Sequence, residues 1–598
     1  MPKQQKKLLP IDYTHREFET IREDLLGIAE RFYPDTFQDF SEASFGALTL
    51  DAVAYVADQL SFYLDYNVNE AFLDTAYQFR NVVRHGQALG YKYTGRPSTY
   101  GTVALYTLIP ASNTGLGPAT EYMPILKRGS SFTTNNGLNF VLTENIDFSH
   151  PTNTVVAARV DPTTGAPTHY AVKAHGTVVS GRFGQERVTV GAYERFYRTR
   201  LSSENISEII SVFDDNGNEY YEVDYLAQDM IFKEITNPNF KSDNVPSLVK
   251  PFLVSRKFTT EFSRDSVTLQ FGSGKENASD VVANPQNYAV DTFGKKYVSS
   301  TSFDPSRISQ NETFGIVPSN TKLTITYRQT NPANSNVAVG NINGVSRGLF
   351  EFKDRQSLST ANVNEIRTSL EVNNEEPISG EVSYPSTGEI KARIYDTFPT
   401  QNRAVTQTDY ENLAYRMPAK FGTVKRCSVQ KDPDSQKRNL NFFILSEDTR
   451  GKLMIANSTI KKNLKTWLNK FRMINDTVDI LDPYILNFGI EFVLTPAQAA
   501  DKYKTLDSAM GALKKHFSTT FFIGEPLYIS DIYQVLKEAP GVLDVVKVKI
   551  NNKVGGQYSG ASMLINENLS PDGSYLIVPK NAVLELKFPE VDIVGKVR

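Results

Sequence analysis

The sequence predicts a multidomain α+β protein with a helical bundle region at the N-terminus, a β-rich middle and a compact α+β domain at the C-terminus. Three observations carry this. A chain of 598 residues is longer than one hydrophobic core usually organises. Apolar residues recur at helical spacing up to about residue 93 and again after residue 450, with short strand-like alternation between. The composition, 40% hydrophobic and 22% charged, is that of ordinary globular domains, so a packed core is available throughout.

Residues 1–95 read as helical. Thr14-His15-Arg16-Glu17 has the form of a capping box, Phe18, Ile21, Leu25, Ala29 and Phe32 follow at helical spacing, and Pro34 ends the run. The stretch from Ser44 to Tyr66 contains no proline and is apolar round most of its circumference, so it must be buried on most sides. Leu48, Val53, Val56, Leu60 and Leu64 are its candidate interface residues, because these helices carry more apolar surface than a small three-helix unit needs. Asp51, Asp58 and Asp65 recur every seven residues on one face. Charges in that number exclude a bilayer core, and successive members lie roughly 10 Å apart, too far for two to chelate one ion. They read as a polar stripe met by cations such as Arg80 and Arg84, or by backbone donors. A third helix is expected from Ala71 to Leu89, ended by Gly90.

Residues 96–344 read as all-β, from a strand at Thr102 to Ile109 through alternation at Val188 and Val190 and at Val267, Leu269 and Phe271. Asn331 to Gly344 reads as a loop or linker. Residues 345–430 form a connecting region, with helix-like character from Ala361 to Leu370, a turn at Pro377-Ile378-Ser379-Gly380, and a helix capped by Thr408 and stopped by Pro418. Residues 431–598 are the most regular. Ile460, Leu464, Trp467, Leu468 and Phe471 line a helix face, and so do Tyr503, Leu506, Met510, Leu513 and Phe517. Leu486, Phe488, Ile490, Phe492 and Leu494 alternate as a strand. Ser530 is placed to cap a short helix, Val546, Val548 and Ile550 lie in a strand, and Leu584, Leu586 and Phe588 in a final one. There is no internal repeat.

The totals exclude several function classes. Lys and Arg number 64 against 67 Asp and Glu, so there is no basic field for nucleic acid. Lys3, Lys6 and Lys7 read as a frayed start, and no apolar run follows that would make a secretory signal. A single cysteine, Cys427, rules out an intrachain disulfide framework and reads as a lone buried thiol. Gly272-Ser273-Gly274-Lys275 fails as a phosphate loop, with Leu269 in place of the first glycine and Glu276 in place of Ser or Thr, and reads as a hairpin turn. His169 and His175 have no metal-binding motif around them, and there is no nucleophile elbow. No catalytic, cofactor or metal site is predicted. The protein reads as a non-enzyme without cofactors.

The pattern Asp-Phe-Ser-Glu-x-Ser at Asp39, followed by Leu-Asp-x-Val-Ala-Tyr-Val-Ala-Asp-x-Leu-Ser-x-Tyr from Leu50, resembles the N-terminal region of baseplate wedge proteins of contractile-tailed bacteriophages, in the baseplate J-like family. Thr268 to Gly274, Gln401 to Thr406 with Asp409-Tyr410 and Leu413-Ala414, Arg472 to Thr477, Phe521 to Pro526 and Ser570 to Gly573 are similar to later segments of the same family. The resemblance runs from Asp39 to about Pro589 and leaves out roughly Pro110 to Lys250. It implies a structural subunit of the virion tail baseplate, assembled in the host bacterial cytoplasm, without membrane insertion. It further implies a homodimer whose N-terminal helices bundle with other wedge proteins and meet the sheath-initiating protein. C-terminal domains would pair around the central hub, with Phe488, Ile490 and Phe492 as candidate interface residues. Two copies in different surroundings need adaptable connections, for which Val345 to Arg426 is the candidate, and the wedge would relay the trigger for sheath contraction. A β-rich adhesin or spike, or a baseplate component of a phage-derived injection particle, are the competing readings.

Overall fold

The computed structural model describes the chain except residues 1–15, 33–43, 113–116, 238–246, 264–265, 276–313, 332–333, 384, 436–438 and 499–500. The cap expected at Thr14, the stop at Pro34, the basic start and the opening residues of the Asp39 motif lie outside the described residues. N-terminal helices, a large β-rich middle and a mixed α/β C-terminal region follow in the expected order. By internal contacts the chain divides into two units: Met1–Lys92 with Pro385–Pro399, and Tyr93–Tyr384 with Thr400–Arg598.

The first unit contains α1 (Phe18–Phe32), α2 (Phe45–Glu70) and α3 (Phe79–Ala88), joined by the helix Thr387–Thr400 from far along the chain. Gly86 of α3 lets that helix approach, since a Cβ there would lie 2.8 Å from the buried Ile394. Val82 and Val83 are buried alongside. Lys391 donates to the carbonyl of Asp74, and the Tyr395 hydroxyl donates to the Asp74 carboxylate. The third helix starts eight residues later than its apolar pattern suggested. Residues 71–78 form a corner instead, because the N–H groups of Tyr77 and Gln78 are taken by the carboxylate of Glu70 (2.8 and 3.1 Å).

In the second unit, Tyr100–Pro110 pairs antiparallel with Pro167–Ser180 from Tyr100↔Val179 to Pro110↔His169. These are the long strands of a seven-stranded sheet whose inner face, including Val103, Leu105, Phe132, Phe140 and Val172, packs on the helix Thr360–Thr368 through Val363 and Ile366. A second seven-stranded sheet runs from Arg182–Val190 and Thr321–Gln329 to Val267–Phe271 and Arg198–Arg200. The fully buried Arg328 ties the two sheets, donating to Ser98 Oγ (2.9 Å) and the Ser180 carbonyl (2.8 Å) while facing Glu208.

Several local expectations are corrected here. Asn331 to Gly344 is not a linker: Asn331, Ser335 and Asn336 are buried, and Asn336 donates to the carbonyls of Glu381 and Glu447 (2.8 Å each). A polar stretch can be internal when every group finds a partner. Pro377-Ile378-Ser379-Gly380 is extended rather than turned, with Ile378 bridged to Val337 and Ser379 to Tyr100. Gly272 to Lys275 runs on beside residues 314–317 instead of closing a hairpin. Glycine is required at position 272, where a Cβ would lie 2.3 Å from the carbonyl oxygens of Phe314 and Gly315. The helix Gln407–Tyr415 is capped by Thr406, not Thr408, in a reciprocal box with Asp409. Cys427 is buried.

The C-terminal region is centred on Tyr484–Pro496. This strand pairs antiparallel with Val542–Asn552 on one side and parallel with Ala582–Glu585 and Ile593–Val597 on the other. The last strand is thus Ile593–Val597, beyond the segment expected to end the chain. The helices Lys502–His516 and Ile529–Lys537 supply Leu513, Ile532 and Leu536 to the core. Ser530 lies inside the second of these, whose N-cap is Tyr528. Phe488, Ile490 and Phe492 are buried to 1% or less in this core. They are corrected as interface candidates: the alternating apolar face of this strand is covered by the domain's own helices.

Candidate interaction surface on the N-terminal helices

The longest helix, α2, begins where Ser44, in an extended conformation, accepts a hydrogen bond from the Ala47 N–H (3.1 Å). Its 26 residues span roughly 39 Å. At 100° per residue, Ala47 and Ala54 fall on the same side as Asp51, Asp58 and Asp65. That seam of small and acidic residues faces α1. Asp65 accepts two hydrogen bonds from Arg16 (2.8 and 3.0 Å), and Asp51 pairs with Arg22. The cations that meet Asp65 and Asp51 are therefore Arg16, just ahead of α1, and Arg22 within it, not Arg80 and Arg84. The pairing order, 16 with 65 and 22 with 51, makes α1 antiparallel to α2. The Arg16–Asp65 pair is more than half exposed and the Arg22–Asp51 pair about a third exposed, so they set register and contribute little stability, about 0–1 kcal/mol each.

The large apolar residues take the remaining circumference and stay uncovered within the described residues. Leu48 (64% exposed), Val53 (49%), Val56 (55%), Leu60 (58%) and Leu64 (66%) are the five the sequence singled out. Phe45, Tyr55, Phe62, Tyr63 and Val68 join them, and Phe72 and Tyr77 continue the surface round the corner. Only Ala47, Ala54 and Glu70 of α2 are buried. So α2 is amphipathic in an inverted sense, with its small residues packed and its large ones outside. An apolar patch of this extent exceeds the few hundred Å² that soluble monomers usually expose. Covering it would gain on the order of 10 kcal/mol before the costs of association.

Phe45, Tyr55, Phe62, Tyr63, Val68, Phe72 and Tyr77 were missed as interface candidates. The corner residue Glu70 was also missed, since only the folded chain brings its carboxylate to Tyr77, Gln78 and the Asn81 amide (2.8 Å). His85 Nε2 meets the Glu70 carbonyl at 2.9 Å. Bonding from Asn81, helped by the backbone N–H groups of Tyr77 and Gln78, holds the Glu70 carboxyl below the usual glutamate range. A depressed folded value stabilises above the unfolded pKa of about 4.3 and is lost as pH falls through the folded value. Glu70→Ala should therefore loosen the corner at neutral pH, and the difference from the wild type should vanish at acid pH, where the wild-type carboxyl is itself protonated. Faster amide exchange at Tyr77 and Gln78 is the expected signal, and unchanged exchange would show that the corner holds without the carboxylate.

Other chemistry is sparse. His169 and His175 each meet a single carboxylate, Glu365 at 3.4 Å and Glu375 at 3.3 Å. Among the described residues no group of three or more His, Cys, Asp or Glu side chains gathers as a metal site. No described helix is long and apolar enough to cross a membrane.

The fold and this surface together define a class: a multidomain α+β protein whose long N-terminal helix carries large apolar residues left uncovered among the described residues. The model of the family described as bacteriophage baseplate protein, N-terminal domain, matches residues 17–88, the stretch that holds α1, α2, α3 and the whole apolar surface on them. No curated protein matches the chain. Among solved structures, a chain of the anti-feeding prophage baseplate is 11% identical, with 96% of this chain and 90% of that one covered and a TM-score of 0.24. A chain of the type VI secretion TssK-TssF-TssG baseplate subcomplex is 9% identical, with 73% and 96% covered and a TM-score of 0.26.

Proposed function

We propose that the protein is a structural subunit of a contractile-tail baseplate, anchored to its neighbours through the apolar side of α2. The observation that carries this reading is the inverted amphipathicity of α2 inside the stretch matched by the baseplate N-terminal model. The exposed apolar arc spans about 240° of the helix, more than the ~100° stripe that packs against a single layer. Partners of α2 are thus helices that enclose it, as in a bundle, rather than one flat surface. In the finer form of the proposal the subunit is a wedge protein that dimerises, bundles with a second wedge component and closes a ring around the hub. It would then relay the contraction trigger, with a structural and not a catalytic role.

The test is the solution mass of the purified chain, alone and co-expressed with its neighbouring tail proteins, by light scattering or sedimentation. A dimer that recruits a second protein in a fixed ratio supports the wedge form. A monomer or trimer indifferent to those neighbours removes it.

A further inference from the structure

In the β-rich middle region a cavity of about 560 Å³ is walled by Lys127, Phe350, Glu351, Phe352, Arg355 and Arg367. Local folding brings these residues together. Phe350 and Glu351 pair with Leu126 and Ile125, and the Lys127 N–H donates to the Leu349 carbonyl (2.7 Å). The turn that follows is closed by the Ser357 N–H and hydroxyl, both donating to the Asp354 carbonyl (3.1 and 2.9 Å), and it holds the exposed Arg355. Arg367 stands in the last turn of the helix Thr360–Thr368, beside Ile366, which anchors that helix in the core. Glycine is required at position 348, where a Cβ would lie 2.7 Å from the Phe350 ring.

The chemistry of this wall is unbalanced. Phe350 and Phe352 stack with centroids 6.4 Å apart and make an apolar floor, and the Arg367 guanidinium lies 5.9 Å from the Phe352 centroid. Among the described residues Glu351 is the one carboxylate on the wall, and Lys127 pairs with it. Neighbouring cations find anions of their own: Arg159 meets Glu365 at 2.7 Å and Lys353 meets Asp147 at 3.9 Å. Among the described residues Arg355 and Arg367 meet none, although Arg367 is half-buried. An arginine that leaves water usually spends its fork of donors on an anion.

We infer that this cavity binds a carboxylate carried on an apolar stem, with Arg355 and Arg367 on the carboxylate and the Phe350–Phe352 floor under the stem. The planar anion matches the guanidinium fork. The floor separates this ligand from phosphate, which has no apolar part to lay on it. An acidic side chain of a partner protein and a free organic acid share this chemistry. The inference goes beyond the baseplate reading and does not rest on it.

Titration calorimetry of the full chain with phenylacetate, with a blocked alanine-glutamate-alanine tripeptide and with inorganic phosphate tests it. Saturable binding of at least one carboxylate, tighter than that of phosphate, is expected. Arg355→Gln and Arg367→Gln should each weaken it about tenfold or more, the effect of losing a hydrogen bond to a charged group. A tighter tripeptide makes a partner's side chain the source, and tighter phenylacetate makes it a free acid. Failure of both carboxylates to bind with a Kd of about 1 mM or tighter would overturn the site. Phosphate binding as tight as theirs, or affinities unchanged in both arginine variants, would overturn it too. Arg355 is exposed, so Arg355→Gln should keep the wild-type melting temperature and decides the matter if Arg367→Gln fails to fold.

Discussion

Val56→Asp should abolish capture of partner proteins by the N-terminal helices and leave the isolated chain folded. Val56 sits in the middle of the exposed arc, 55% exposed and on the opposite side from the Ala47–Ala54 seam that packs on α1. In the free chain the new carboxylate points to water, so stability should change by no more than about 0.5 kcal/mol, as for other surface substitutions. In a complex the same position is enclosed by apolar side chains. An unpaired carboxylate there costs several kcal/mol, and ~4 kcal/mol is already about a thousandfold in affinity. Co-purification with neighbouring tail proteins and thermal unfolding of the chain alone separate the two effects. Persistence of the complex with Val56→Asp would remove the α2 arc as the docking surface. A large fall in melting temperature would show that the arc is covered within the chain itself.

The second large effect is expected at Phe492, for the opposite reason. Phe492 is 1% exposed, in a core with Phe488, Ile490, Leu513 and Leu536. Phe492→Ala removes most of a ring's burial and leaves a cavity between the strand Tyr484–Pro496 and its covering helices. The cost should be about 3–5 kcal/mol, or roughly 10 °C in the melting of this region. Partner capture by α2 should persist in whatever fraction remains folded. If Phe492→Ala instead left stability unchanged and broke self-association, the strand would be an interface after all, and its burial would have to be made by a second copy.

These two residues show what was legible in the amino-acid sequence. Both were candidates because apolar residues recur at the period of their element, 3.6 on α2 and 2 on the strand. The period is a local property and was read correctly, as were the order of regions, the helix face at Ile460, Leu464, Trp467 and Leu468, and the burial of Cys427, while Phe471 lies beyond the end of that helix. The polar stripe of Asp51, Asp58 and Asp65 was legible for the same reason.

What decided between interface and core was the supply of covering surface from elsewhere in the chain. The strand at Phe492 is covered by helices that follow it closely, so its apolar face is satisfied internally. Around α2, among the described residues, α1 covers the small and acidic seam and the larger arc is left out. The same dependence explains Glu70, whose carboxylate gains its role from a chain reversal eight residues on. It also explains the helix Thr387–Thr400, which joins the N-terminal helices across some three hundred residues through Gly86 and Ile394. Periodicity along the chain determines which residues need burial. Only the tertiary structure determines which of them receive it, because the free energy of burial depends on the surface met and not on the residue that meets it.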